Sequence, residues 1–183
     1  MSPDTILVLA AGPDDGWDAP FPKQLCPVAG EPLLLRTLRD FGGGAVVTNK
    51  PEILALEGIE CFVPGRTATI FDTILSTRAL WRGEVLVLSG DFFYRDDMRG
   101  EILEWAGETP CLFGDHSLLF GEVDYGWMEK TLEALADAGP SGDFFNRLRL
   151  TAGLPRVSRV EADLDFDIWP YYEKFLEENP WAQ

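Results

Sequence analysis

The stretch Ile6-Leu7-Val8-Leu9-Ala10-Ala11-Gly12, followed by Phe21-Pro22-Lys23-Gln24-Leu25 and Pro27-Val28-Ala29-Gly30-Glu31-Pro32-Leu33-Leu34-Leu35-Arg36, decides how this chain is read. An uninterrupted apolar run of this length reads as a strand buried on both faces, the kind that parallel sheets use. It ends in small residues, Ala10-Ala11-Gly12, so a ligand can lie directly on the backbone there. Lys23, held between Pro22 and Pro27, is placed to meet a phosphate carried by such a ligand. Pro32 then opens a helical stretch to about Phe41, which Gly42-Gly43-Gly44 stops.

Working outward, short β-like runs alternate with helical patterns, the signature of βαβ units and a mostly parallel sheet. Strands are expected over 5–10, 45–48, 60–63 and 84–88, with helices over 32–41, from Pro51, and over 69–81. The second half is less regular. Helices are expected over 97–105, 127–138, 143–150 and 170–178, and strands over 110–113, 118–120 and 156–160. No repeat, low-complexity tract or boundary stands out, so residues 1–183 read as one α/β domain.

Composition narrows the function. Asp and Glu total 31 against 15 Lys and Arg, for a formal charge of −16, and the acids are spread along the chain. Phosphate neutralisation needs a basic face and none is visible, which argues against a nucleic-acid partner and equally against an anionic membrane surface. The acidity reads as a solvated surface or, by analogy, as adaptation to high salt, since only four of the basic residues are lysine. Cys26, Cys61 and Cys111 are widely spaced and lie in or beside apolar runs, the pattern of reduced thiols in a cytoplasmic protein. The single His116 reads as a surface or loop residue, and no segment has the apolar length of a membrane span.

In open parallel sheets ligands bind beyond the carboxyl ends of the strands. Gly12 ends the first strand, and Asp91 follows Val85-Leu86-Val87-Leu88-Ser89-Gly90. An acid there suits a hard cation such as Mg²⁺ carried on phosphates. Further acids crowd into Asp163-Leu164-Asp165-Phe166-Asp167, and in a strand these three aspartates share one face.

The order strand, Ala-Ala-Gly, loop, Pro-Lys-x-Leu, Pro-Val-x-Gly-x-Pro-Leu resembles the opening of the nucleotidyltransferases that join a nucleoside triphosphate to a sugar phosphate or to phosphocholine. The resemblance is strong over 6–36, moderate over 84–104 and weak over 143–175. It implies a single-domain, Rossmann-like nucleotidyltransferase fold, with a mixed, mostly parallel sheet flanked by helices as in the glycosyltransferase-A type. It carries a metal-binding aspartate onto Asp91 and a second ligand onto Asp167, or else Asp165, with Mg²⁺ as cofactor. It makes Lys23 and Asp91 catalytic, and Leu9, Ala10, Ala11, Gly12, Lys23, Thr67, Thr69 and Gly90 the nucleotide contacts. Asp143-Phe144-Phe145-Asn146 falls where acceptor residues often lie, and Tyr125, Trp127, Trp169, Tyr171 and Tyr172 could form an aromatic pocket. The implied partners are a nucleoside triphosphate and a small phosphorylated acceptor.

One segment departs from the family. Its members usually read Gly-x-Gly-Ser/Thr-Arg-Met after the first strand, whereas this chain reads Gly12-Pro13-Asp14-Asp15-Gly16-Trp17-Asp18. Three aspartates then stand where phosphates should lie. Either Mg²⁺ and a basic residue from elsewhere, Arg36 or Arg66, offset them, or triphosphate binding is weakened or lost. The alternatives to catalysis are a non-catalytic nucleotide-binding relic and a nucleotide-sugar glycosyltransferase, although Asp163-x-Asp165-x-Asp167 is late in the chain for the latter.

Overall fold

Leu7 and Leu9 point to one side of a sheet, Val8 and Ala10 to the other, and all four are buried. That alternation requires cover on both faces, and the chain supplies it with helices. The structure is a computed structural model that describes residues 3–14, 16–138, 144–155, 157, 164–166 and 168–183.

Strand β1 (Thr5–Leu9) is followed by a ribbon of β2 (Pro27–Val28) and β3 (Glu31–Pro32), then helix α1 (Leu33–Phe41). Next come β4 (Ala45–Val47), α2 (Pro51–Leu54), β5 (Glu60–Phe62), α3 (Ile70–Ser76), β6 (Val85–Ser89) and α4 (Asp96–Leu103). The hairpin of β7 (Cys111–Phe113) and β8 (Ser117–Phe120) follows, then α5 (Tyr125–Asp137), α6 (Phe144–Ala152) and α7 (Trp169–Glu178). The main sheet has the order β5-β4-β1-β6-β8-β7. The first four of these run parallel, while β8 pairs antiparallel with β6 and β7 antiparallel with β8. The mixed, mostly parallel sheet read from the sequence is the sheet observed.

One face packs beneath α1, α4 and α7 through Leu34, Ile102 and Phe175, the other beneath α3 and α5 through Ile74 and Leu132. Helix α1 stops where expected because Gly42 takes φ 84°, a left-handed conformation that closes the helix without a Cβ penalty. Helix α3 is shorter than the run 69–81. Its start is fixed by a capping box between Thr69 and Asp72, but Thr77 turns its hydroxyl back onto the Ile74 carbonyl at 2.6 Å and accepts the Trp81 indole N–H at 2.9 Å. The backbone then tightens into a 3-10 turn over Arg78–Leu80, which seats the buried Trp81 against Phe120. Of the strand expected over 156–160, only Val157 lies within the described residues. Its N–H donates to Leu112, and Leu112 donates to Pro155, so this segment runs along β7.

Candidate functional site

The strand order reverses between β1 and β6, because the chain leaves β1 toward β4 on one side and returns to β6 on the other. The carboxyl ends of this pair form the crevice where such sheets take ligands. Gly90 crosses it, donating its N–H to the Leu9 carbonyl at 2.9 Å. A Cβ on Gly90 would stand 2.6 Å from that carbonyl oxygen and 3.3 Å from Gln24 Cγ. The glycine is therefore required by the backbone of β1 itself. Gly12, by contrast, has open space where a Cβ would be, and it is exposed.

Directly after Gly90, Asp91 meets Lys23. The Lys23 Nζ lies 2.8 Å from Asp91 Oδ2, with the two side chains only 9% and 14% exposed. Lys23 is brought there by a 3-10 turn over Lys23–Leu25, set between Pro22 and Pro27. Burial pushes the Asp91 carboxyl up, but the charge and hydrogen bond of Lys23, helped by the Ser89 hydroxyl, hold it below its ordinary value. The carboxylate and the ammonium are both charged, and each fixes the other.

The C-terminal segment returns to the same place. Phe92 forms an isolated antiparallel bridge with Asp165, flanked by hydrogen bonds from Phe93 N–H to Leu164 and from Phe166 N–H to Asp91. Asp165 Oδ2 lies 3.8 Å from His116 Nδ1. His116 is buried and stacks on Phe92 with ring centroids 3.8 Å apart, so the expectation of a surface histidine is wrong: the turn before β8 folds it inward. Tyr94 sits behind the group, its hydroxyl donating to the His116 carbonyl and accepting the Ser89 N–H. Burial first, and then the nearby carboxylates of Asp91 and Asp165, push its ionisation above the ordinary value.

Asp91 and Asp165 thus meet from segments far apart in sequence, and they offer the hard oxygen donors that Mg²⁺ or Mn²⁺ takes. Among the described residues no group of three or more His, Cys, Asp and Glu gathers, so a cation here would complete its shell from phosphates and water. Asp163 and Asp167 lie outside the described residues, as do Asp15 and Asp143.

The altered loop has its own fastening. Asp14 Oδ1 accepts from Lys50 Nζ at 2.6 Å and from the Lys23 main-chain N–H at 3.3 Å. Arg36 and Arg66 do not supply that charge. Arg36 lies over Phe93 with Asp40 at 3.5 Å, and Arg66 is exposed beside an outer groove with Asp72 and Glu129. Lys50 was not foreseen. The signal was there in Asn49-Lys50-Pro51, directly past the carboxyl end of β4, which lies at the same edge of the sheet as Gly12 and Asp91. Further along the loop, Trp17 packs on Trp169 at 5.0 Å and Tyr172 at 5.7 Å, and its indole donates to the Phe21 carbonyl.

The remaining expected contacts divide. Leu9 and Ala10 are buried, and Ala10 belongs to the sheet: its N–H donates to Val47 and its carbonyl accepts from Thr48. Ala11 is half-buried and Gly12 exposed at the rim. Thr69 gives its hydroxyl to the cap of α3, and Thr67 is exposed ahead of it. The five aromatics do not form one pocket. Tyr125 packs on Trp81 and donates to Gly83 on one face of the sheet, Trp169 and Tyr172 clasp Trp17 on the other, and Trp127 and Tyr171 are exposed.

Comparison with solved structures defines the class. No protein-family model matches the chain, and the sequence matches no curated protein. The protein Rv0371c from Mycobacterium tuberculosis H37Rv superposes with a TM-score of 0.67 at 20% identity, over 94% of this chain and 97% of that one. The CTP:phosphocholine cytidylyltransferase from Streptococcus pneumoniae gives 0.68 at 11% identity, over 95% and 98%. The inositol-1-phosphate CTP transferase from T. maritima gives 0.60 at 12%, over 97% and 98%. The fold of this chain is that of the nucleotidyltransferases.

Proposed function

We propose that this chain is a nucleotidyltransferase that joins a nucleoside triphosphate to a small phosphorylated acceptor, a sugar phosphate or a phosphocholine-like molecule, with release of pyrophosphate. The observation that carries this reading is the Lys23–Asp91 pair, at 2.8 Å, at the carboxyl ends of β1 and β6. The structural neighbours support it: two are transferases of CTP, and Rv0371c has been solved with manganese.

An acceptor phosphate oxygen attacks the α-phosphorus, the new P–O bond forms, and the bond to the β-phosphate breaks, so pyrophosphate departs with the electron pair. Such transfers are helped chiefly by positioning and by fixed positive charge where negative charge develops. Lys23 provides that charge, and its pairing with Asp91 keeps it protonated and aimed. Asp91 and Asp165, with Asp167 the further candidate, would hold Mg²⁺, which when bound neutralises charge on the phosphates. The exposed rim at Gly12 lets the nucleotide approach the backbone, with Leu9, Ala10, Ala11, Gly90, Thr67 and Thr69 the remaining proposed contacts. We take residues 1–183 to act as one domain in a reducing compartment, which the three free thiols fit. Among the described residues no helix is long and apolar enough to cross a membrane.

The test is pyrophosphate release from four NTPs, each offered a set of sugar phosphates and phosphocholine with Mg²⁺ or Mn²⁺. One pairing should release pyrophosphate in step with product, and Lys23→Ala should abolish it. The acidic loop favours a second reading, a nucleotide-binding relic without catalysis. Nucleotide binding without release for any pairing would select it.

A further inference from the structure

The carboxylate of Asp14 sits in what is chemically an anion site. One of its oxygens receives an ammonium, Lys50 Nζ at 2.6 Å, and a main-chain amide, Lys23 N–H at 3.3 Å. These donors come from separate segments, the end of β4 and the turn after the loop, and they converge on a single oxygen. Lys50 is also held from behind by Gln24 Oε1 at 3.0 Å. Gln24 is in turn buried and packed beneath Gly90. The donors are thus built into the sheet end, and the acceptor is not. The Lys50 side chain is 11% exposed, whereas that of Asp14 is 33% exposed, on a loop.

A fixed cation and a fixed amide facing a movable carboxylate form a cradle for any anionic oxygen of similar size. Charge-assisted hydrogen bonds of this type are the strong ones, and phosphate oxygens accept them as carboxylates do. Building on the reading of this crevice as a site for phosphorylated substrates, we propose that Lys50 and the Lys23 N–H are a phosphate-binding cradle that Asp14 fills when no ligand is bound. A substrate phosphate enters as Asp14 swings out. Lys50 is then a binding residue of the reaction, and Asp14 an internal competitor that lowers apparent affinity by the fraction of time it occupies the cradle. The same arrangement explains how a loop with acids in place of the usual glycine and arginine can border a phosphate site. Its innermost acid is neutralised by a lysine and can be exchanged for the ligand.

The probe is inorganic pyrophosphate, titrated by calorimetry in Mg²⁺ buffer into the full chain and its variants, each first checked for an unchanged urea midpoint. Asp14→Asn should tighten binding by about 10-fold, since a charge-assisted hydrogen bond no longer has to be displaced. Asp18→Asn removes the same charge from an exposed position on the same loop and should change affinity less than about 2-fold at moderate salt. Lys50→Met should weaken binding by about 10-fold and abolish the gain from Asp14→Asn in the double variant. Lys50→Gln takes its place if the methionine variant fails to fold. The proposal is overturned if Asp14→Asn gains no more than Asp18→Asn, if its gain survives loss of Lys50, or if pyrophosphate binds none of the proteins. Pyrophosphate binding with this pattern, but no turnover of any NTP, would leave the cradle standing and remove the transferase reading instead.

Discussion

Gly90 leaves no room for a side chain above Leu9: a Cβ there would stand 2.6 Å from the Leu9 carbonyl oxygen, closer than any real contact of that kind. The two strands that frame the crevice are joined at this point, and the residue that carries the key carboxylate comes next. Gly90→Ala should therefore force β1 and β6 apart. Overpacking of this kind costs roughly 1–3 kcal/mol. Urea denaturation should show that loss together with a drop in NTP affinity, and an unchanged midpoint would mean that the strand ends adapt.

Lys23 and Asp91 should behave as one unit in stability as well as in turnover. Although the pair borders a crevice, its side chains are largely buried, so removing either leaves a desolvated charge without its counterion. Lys23→Met or Asp91→Asn alone should cost about 1–3 kcal/mol. The double variant should cost less than the sum by at least about 0.5 kcal/mol, which is the mark of coupled neighbours. A cycle of urea midpoints measures this, with pyrophosphate release lost in all three. Strict additivity would show that the pair does not interact in solution.

The same pair sets an acid limit. The Asp91 carboxyl titrates lower in the folded chain than in the unfolded one, because Lys23 outweighs burial. Its contribution is complete above the unfolded carboxyl value of about 4 and is lost as pH falls through the depressed folded value. In metal-free buffer, stability of the parent chain should fall more steeply below pH 4 than that of Asp91→Asn. Parallel curves from pH 7 to pH 2 would contradict the assignment.

Trp17 fastens the loop to α7 and not to the sheet. Trp17→Ala should cost about 3 kcal/mol, as loss of a buried indole commonly does. It should also speed tryptic cleavage after Lys23, which follows the loop in a buried turn. Cleavage at the parental rate would mean that the prolines alone hold the turn.

Much of this was legible in the residues. The apolar runs of β1 and β6 carry their fate openly, since a strand covered on both faces has no polar alternation, and Lys23 and Asp91 stand out by where those runs end. Other features are carried by contacts that no local pattern records. The Asp14–Lys50 pair joins residues 36 apart, so charge at the loop looked unopposed. The early end of α3 depends on what Thr77 does for Trp81. His116 is buried because Phe92 offers it a ring, and an isolated histidine gives no sign of that. Asp165 was visible only as one of three acids, until the bridge to Phe92 singled it out among the described residues.

Lysine is scarce in this chain, and its distribution has a practical use. Of four, Lys23 and Lys50 are drawn into the crevice, while Lys130 and Lys174 stand exposed on α5 and α7. An acylating reagent therefore meets two fast amines far from the chemistry and two slow ones within it. Peptide mass spectrometry of a brief labelling reaction can compare the pairs inside one sample, with the outer lysines as the internal standard. The protein thus carries a built-in gauge of crevice occupancy that needs no tag, no radiolabel and no knowledge of which nucleotide it prefers.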